Sequence, residues 1–165
     1  MGERGLIMKQ TIDAFWDNFL KETKLENVQL HDAWAFGDSA SLADDLASLT
    51  VKGIKTATAS AYIEYVLDHE ALPQVSDHAL DIILDGQGQP VAVIRVTKVY
   101  VVPFLDVTPE HAYKEGEADR SLDSWRKIHH QYWQRTFEAR GLAIEIDQID
   151  VVCEEFEVVW HPQET

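Results

Sequence analysis

The run ALDIILDGQGQPVAVIRVTKVYVVPF, residues 79–104, limits the possible folds more than any other stretch of the chain. Two β-branched segments flank Asp85-Gly86, and Gly88 and Pro90 lengthen the turn between them, which is the pattern of a β-hairpin. DVVCEEFEVVW, 150–160, reads as a further strand. The rest has helical period. Residues 11–24 place Ile12, Phe15, Trp16, Phe19 and Leu20 on one face. SASLADDLASLTVKG reads as a helix with Ser39 or Asp38 as its cap, a Leu42/Leu46/Leu49 stripe, and Gly53 just beyond its end. TPEHAYKEG opens at Thr108 with Pro109 in the first helical position, and SLDSWRKIHHQYWQRTFEARG runs from Ser121 to Gly141. TATASAYIEYVLDHEALP is expected to be helical up to Pro73, and VQLHDAWAFG, 28–37, is either extended or an aromatic-rich loop. Helices mixed with antiparallel strands, in no regular alternation, predict an α+β fold.

A chain of 165 residues is expected to form one domain with a sizeable core. No apolar run is long enough to span a bilayer. MGERGLIMKQ resembles neither a signal peptide nor, with Leu6 where Ser or Thr is needed, a myristoylation site, so the expectation is a cytoplasmic protein with no membrane partner. The lone Cys153 excludes an intramolecular disulfide, and its apolar surroundings suit a core residue. Fourteen Lys and Arg against 29 Asp and Glu leave a net charge of −15, which argues against a coat on duplex DNA, because such binding depends on displacing counterions with a basic face. Any nucleic-acid site is a basic island suited to a single strand or a lone nucleoside.

No nucleophile elbow, P-loop, dinucleotide fingerprint or HExxH is present, so no cofactor and no metal are expected. His129 and His130 point about 100° apart on a helix and do not converge on one metal. Two polar segments remain, Gly53-Ile54-Lys55-Thr56-Ala57-Thr58 and Glu115-Gly116-Glu117-Ala118-Asp119-Arg120-Ser121-Leu122, the latter followed by Ser124-Trp125-Arg126. Taken singly, Lys55 reads as a charge at a helix C-terminus, the three acids as a solvated loop with capping residues, and Trp125 and Trp133 as core.

In combination these segments, with HHQYW and the terminal VVCEEFEVVW, resemble the ASCH domain, and more narrowly its longer bacterial type. The resemblance runs from Val28 to Trp160. It implies a PUA-like small β-barrel of mainly antiparallel strands flanked by helices, with residues 1–27 as an N-terminal helix packed on a single ASCH unit of residues 28–161. It also implies RNA-linked work. Members were proposed as RNA-binding regulators, some act as ribonucleases, and short relatives remove the acetyl group of N4-acetylcytidine. In those short relatives a lysine, a threonine three residues on and a downstream glutamate form the active site. The matching positions here are Lys55, Thr58 and Glu115, the last through His111-Ala112-x-x-Glu115. The chain is longer than those relatives and has Ala59-Ser60 where they carry an arginine-bearing stretch.

The implied chemistry is a metal-independent hydrolase acting on single-stranded RNA or a modified nucleoside, with an N4-acetylcytidine-type amidohydrolase and a non-catalytic RNA or nucleotide regulator as the alternatives. A lysine beside a hydroxyl and an acid can activate the hydroxyl or hold developing negative charge. Glu115, among other acids, is expected to have a raised pKa and donate a proton. Thr56 to Ser60 would floor a cleft for a planar base. Arg126 and Lys52 would meet a phosphate, with Ser124 beside them, while Trp34 and Tyr113 would stack on the base.

Overall fold

The computed structural model describes residues 3–163. In it the hairpin forms as β3 (Ala79–Leu84) and β4 (Pro90–Pro103), antiparallel, with Asp81 opposite Ile94 and Ile83 opposite Ala92. The Asp85 carboxylate ties its turn by accepting from the Gln87 and Gln89 N–H groups at 2.9 and 3.0 Å. Three more strands join it: β1 (Gln29–Ala35), β2 (Ala57–Ala61) and β5 (Asp150–Trp160). The sheet order is β1-β3-β4-β5-β2. β1 runs parallel to β3, so the 28–37 segment is extended over Gln29–Ala35, and β2 runs antiparallel to β5. The helices are α1 (Glu3–Thr23), α2 (Ala40–Val51), α3 (Tyr62–Asp68), α4 (Pro109–Glu115) and α5 (Leu122–Ala139). The fold is therefore α+β with a mostly antiparallel sheet. β1 and β2 stand at the two ends of the strand order, an open arrangement compatible with a PUA-like barrel. No described helix is long and apolar enough to cross a membrane.

One segment departs from expectation. Residues 57–61 are a strand, and helix begins only at Tyr62 and stops at His69, whose φ is +55°. The helical preference of the alanines is overridden by the β5 ladder, which pairs Ala57, Ala59 and Ala61 with Glu155, Cys153 and Val151. Small side chains on this face let the strand lie close under an aromatic core.

The chain divides into two compact units. The first comprises Met1–Gly53, Ser76–Val96 and Glu157–Thr165. Its core has Phe19 of α1 against Leu80, Ile82 and Val93, all fully buried. Trp160 packs there too, 5.1 Å from the Phe15 ring, and donates its indole N–H to Glu22 at 2.6 Å. The second comprises Ile54–Val75 and Thr97–Phe156. Its core is the Trp125/Trp133/Phe137 stripe of α5 on Phe104, Val107, Ala112, Val151 and Cys153. Burial pushes the Cys153 thiol up to about 12, so this cysteine is a core residue without thiolate character.

Gly86 does more than turn the chain. Its N–H donates to Asp44 at 2.7 Å, and a Cβ there would stand 2.1 Å from the Ala40 carbonyl oxygen. Gly53 has a φ of +77° but open space around it. Gly86→Ala should therefore lower stability by about 1–3 kcal/mol through overpacking, and Gly53→Ala by about 1 kcal/mol through backbone strain alone. Urea midpoints check this, and a Gly86→Ala protein as stable as the parent would contradict the close-contact reading.

Candidate functional site

The two polar segments of the sequence meet within the second unit. The Thr56 N–H donates to the Lys114 carbonyl at 2.7 Å, which places the residues before β2 against the end of α4. Lys55 turns inward, is 1% exposed, and donates to the Ala57 carbonyl at 2.9 Å. Its ammonium lies 3.5 Å from both the carbonyl and the Oε1 of Glu115. Lys55 is thus a buried ion-pair partner and not a solvated helix-end charge.

α4 and α5 deliver the remaining members. Thr108 caps α4 by accepting from the His111 N–H, and Gly116, at φ +78°, ends it, so His111 and Glu115 stand one turn apart on its buried face. Ser121 caps α5 in the same way, setting Trp125 and His129 one turn apart. His111 Nε2 is 2.6 Å from Glu115 Oε2, and the Trp125 indole N–H donates to that same oxygen. His129 Nε2 is 3.4 Å from Glu115 Oε1. The other nitrogen of His129 lies 2.9 Å from the Trp125 carbonyl, which can only accept, so Nδ1 carries a proton. The imidazole stacks on the Trp125 ring at 4.2 Å.

This geometry reverses one expectation. Burial alone would push the Glu115 carboxyl up, but His129, Lys55 and the His111 hydrogen bond outweigh it and hold the group well below the usual carboxylate range. Glu115 is an ionised anchor and not a proton donor. The acid with a raised pKa is Glu117, where burial outweighs the opposing pull of Lys55 and His129, and the Glu115 charge adds to the rise. His129 is pushed up because Glu115 and Glu117 outweigh its own burial. Glu115, Glu117 and His129 offer ligand atoms within 4.8 Å of one another. The Lys55 ammonium already provides positive charge at Glu115 Oε1, so this set reads as a salt network.

Of the other expected residues, Tyr113 lies nearby at the end of α4, 57% exposed, with the Arg120 guanidinium 3.6 Å from its ring centre. Ser124 serves the α5 cap, and its side chain helps Ser121 hold the Asp119 carboxyl down at about 2. Arg126 donates to the Leu105 carbonyl at 2.7 Å. Thr58 sits opposite Glu154 on β5, and strand alternation places it on the face away from Ala59 and Ala61, which pack on the aromatic core. The run Thr56 to Ser60 is therefore a two-faced strand, with its alanines committed to packing. Lys52 and Trp34 belong to the first unit. Lys52 is the C-cap of α2, and the Trp34 indole donates to Asp81 at 3.0 Å. His111, Glu117, Arg120, Trp125 and His129 were not singled out as site residues from sequence. For His111, Trp125 and His129 the signal was the paired four-residue spacing, His111/Glu115 and Trp125/His129, on two capped helices, whereas Glu117 and Arg120 lie in the loop between them.

Donors from two helices and a lysine from a G-x-K-x-x-T turn close on one buried glutamate within an α+β domain. The chain belongs to the ASCH domain family, whose model matches residues 32–160. ASCH domains are a PUA-like, RNA-binding fold. The chain is similar to the crystal structure of protein EF3133 from Enterococcus faecalis, with 37% identity, a TM-score of 0.80, and coverage of 91% of this chain and 88% of that one. It is also similar to an ASCH domain from Lactobacillus crispatus, with 25% identity, a TM-score of 0.83, and coverage of 92% and 96%. No curated protein matches the chain.

The charge network should be visible in stability. His129 has a folded pKa above its ordinary 6.5, so its contribution is complete below that pH and is lost as pH rises through the raised value. Glu115 has a folded pKa below 4.5, so its contribution is present above that pH and is lost as pH falls through the lowered value. The unfolding midpoint should be highest between these limits. His129→Gln should flatten the alkaline limb and, by removing a charge that holds the Glu115 pKa down, also shrink the acid limb, as thermal melts across pH would show. An unchanged alkaline limb would rule out a charged His129.

Proposed function

We propose that this ASCH protein is a metal-independent hydrolase directed at single-stranded RNA or a modified nucleoside, working at the Lys55–Glu115 cluster. The observation that carries the reading is the contrast between two neighbouring acids. Glu115 is buried and held ionised, whereas Glu117 is part-exposed with a pKa pushed up. Pairs of carboxyls whose environments drive them apart divide the roles of fixed anion and proton carrier. Glu115 orients Lys55 and His129, and Glu117 moves the proton. Lys55 and the His129 imidazolium set positive charge where an oxyanion or a phosphoryl oxygen would develop, a role that needs no divalent ion.

Two substrates fit that arrangement. With an acylated nucleoside, water adds to the acyl carbon, Glu117 takes its proton, and the proton passes to the leaving nitrogen. With RNA, the 2′-hydroxyl attacks phosphorus, its proton passes to Glu117, and the departing 5′-oxygen is protonated in turn. Lys55 lies below the surface, which disfavours a continuous strand over a base-sized group. Water or the 2′-hydroxyl is the nucleophile in either case, because Thr58 faces the other side of β2. A different observation favours a non-catalytic RNA or nucleotide sensor: four donors already engage the two Glu115 oxygens, as in a purely structural network.

The deciding experiment incubates the purified protein with total RNA and with a panel of acylated nucleosides, with and without EDTA, and identifies products by mass spectrometry. Turnover should survive EDTA. Glu117→Gln should reduce it by about 10²–10⁴-fold with an unfolding midpoint close to the parent. Lys55→Met should reduce it by roughly a hundredfold or more. Binding without product would put the sensor ahead. Turnover abolished by EDTA and restored by Mg²⁺ would count against the mechanism.

A further inference from the structure

The segment after α4 passes through three left-handed residues, Gly116 at φ +78°, Ala118 at +53° and Arg120 at +65°. Glycine adopts this region freely. A residue such as arginine stays there only where its surroundings over-determine it, and such positions cluster at functional sites. The contacts of Arg120 are specific. Its backbone N–H donates to the Glu117 carbonyl at 2.9 Å, and its Nε donates to the Tyr113 carbonyl at 2.9 Å. One terminal nitrogen donates to the Ile54 carbonyl at 3.4 Å, and the guanidinium lies flat enough on Tyr113 to stand 3.6 Å from the ring centre. Ile54 immediately precedes Lys55, and Tyr113 is two residues before Glu115. Gly116 reinforces the tie, since a Cβ there would be 2.8 Å from the Ile54 carbonyl oxygen.

We infer that Arg120 is the positioning residue of the site: by bridging the Ile54 and Tyr113 carbonyls it fixes the distance between the Lys55 ammonium and the Glu115 carboxylate. The planar guanidinium does this because its donors leave in fixed, diverging directions, and a lysine ammonium has no such fork. The kinetic consequence rests on the hydrolase reading, but the geometric claim does not. Holding Lys55 on Glu115 also governs His129, which shares Glu115 Oε1 with Lys55 from the turn before β2, while His111 of α4 engages Glu115 Oε2 and Glu117 of the following loop adds its charge. If Lys55 drifts from Glu115, a second positive charge at His129 meets less opposition.

The test follows the His129 imidazole by NMR across pH, with no substrate present. Arg120→Lys keeps the charge and removes the bridge, and should raise the His129 midpoint by roughly half a unit or more, in the direction set by Lys55→Met. Gly116→Ala, which pushes on Ile54 by an independent route, should move it the same way. Tyr113→Leu removes the stacked ring but keeps the carbonyl, and should leave the midpoint near the parent value. On a substrate that is turned over, Arg120→Lys should lower kcat with little change in KM. A His129 midpoint unmoved in both Arg120→Lys and Gly116→Ala, with only the unfolding midpoint lowered, would overturn the proposal. A raised midpoint in a protein without hydrolytic activity upholds the positioning role and fails the hydrolase reading alone.

Discussion

The Glu115 carboxylate is a full negative charge held at 2% exposure, and the second unit is organised around its neutralisation. Taking such a group out of water costs several kcal/mol, and only well-placed partners offset that cost. Here the partners come from three places: Lys55 ahead of β2, His111 within α4, and Trp125 and His129 on α5. Removing one partner of a buried pair typically costs about 3–5 kcal/mol, because the other charge stays behind. The helix ends must therefore be placed to within part of a turn. The Thr108 and Ser121 caps and the left-handed Gly116 meet that requirement locally.

β2 connects this network to the sheet. Its alanines lie under the Trp125–Trp133 core beside Val151 and Cys153, while Thr58 and Ser60 face the other way. On that other face the Ser60 and Tyr65 hydroxyls are 2.7 Å apart, and burial, with the nearby Glu154 and other acids, raises the Tyr65 pKa despite that bond. A strand of larger residues would hold the aromatic stripe away from the ladder. The small-residue run is explained by packing on one face and polar pairing on the other.

An RNA-binding fold with a net charge of −15 presents an electrostatic conflict. Several cations are held in specific partnerships: Lys55 and His129 on Glu115, Lys114 and Lys98 on Glu155, and Arg140 on Asp68 and Glu64. None of these makes a broad basic face. Affinity for a nucleic acid would then come from a few short-range contacts, with a shallow dependence on salt.

From sequence alone, the hairpin at 79–104, the terminal strand, the capped helices and the core roles of Trp125, Trp133 and Cys153 were legible, because each depends on residues close together in the chain. Residues 57–61 were misread as helix, because their conformation depends on β5, almost a hundred positions away, and a run of Ala and Thr has no strong preference to oppose it. Lys55 and Glu115 could be singled out only as members of two motifs. That they touch, that Glu115 is ionised, that Glu117 is the acid with the raised pKa, and that Thr58 turns to the opposite face were decided by the tertiary structure. The physical reason is that charge state and facing direction belong to an environment: a carboxyl pKa is set by the burial and the donors that other segments bring to it, and no neighbour in sequence specifies either.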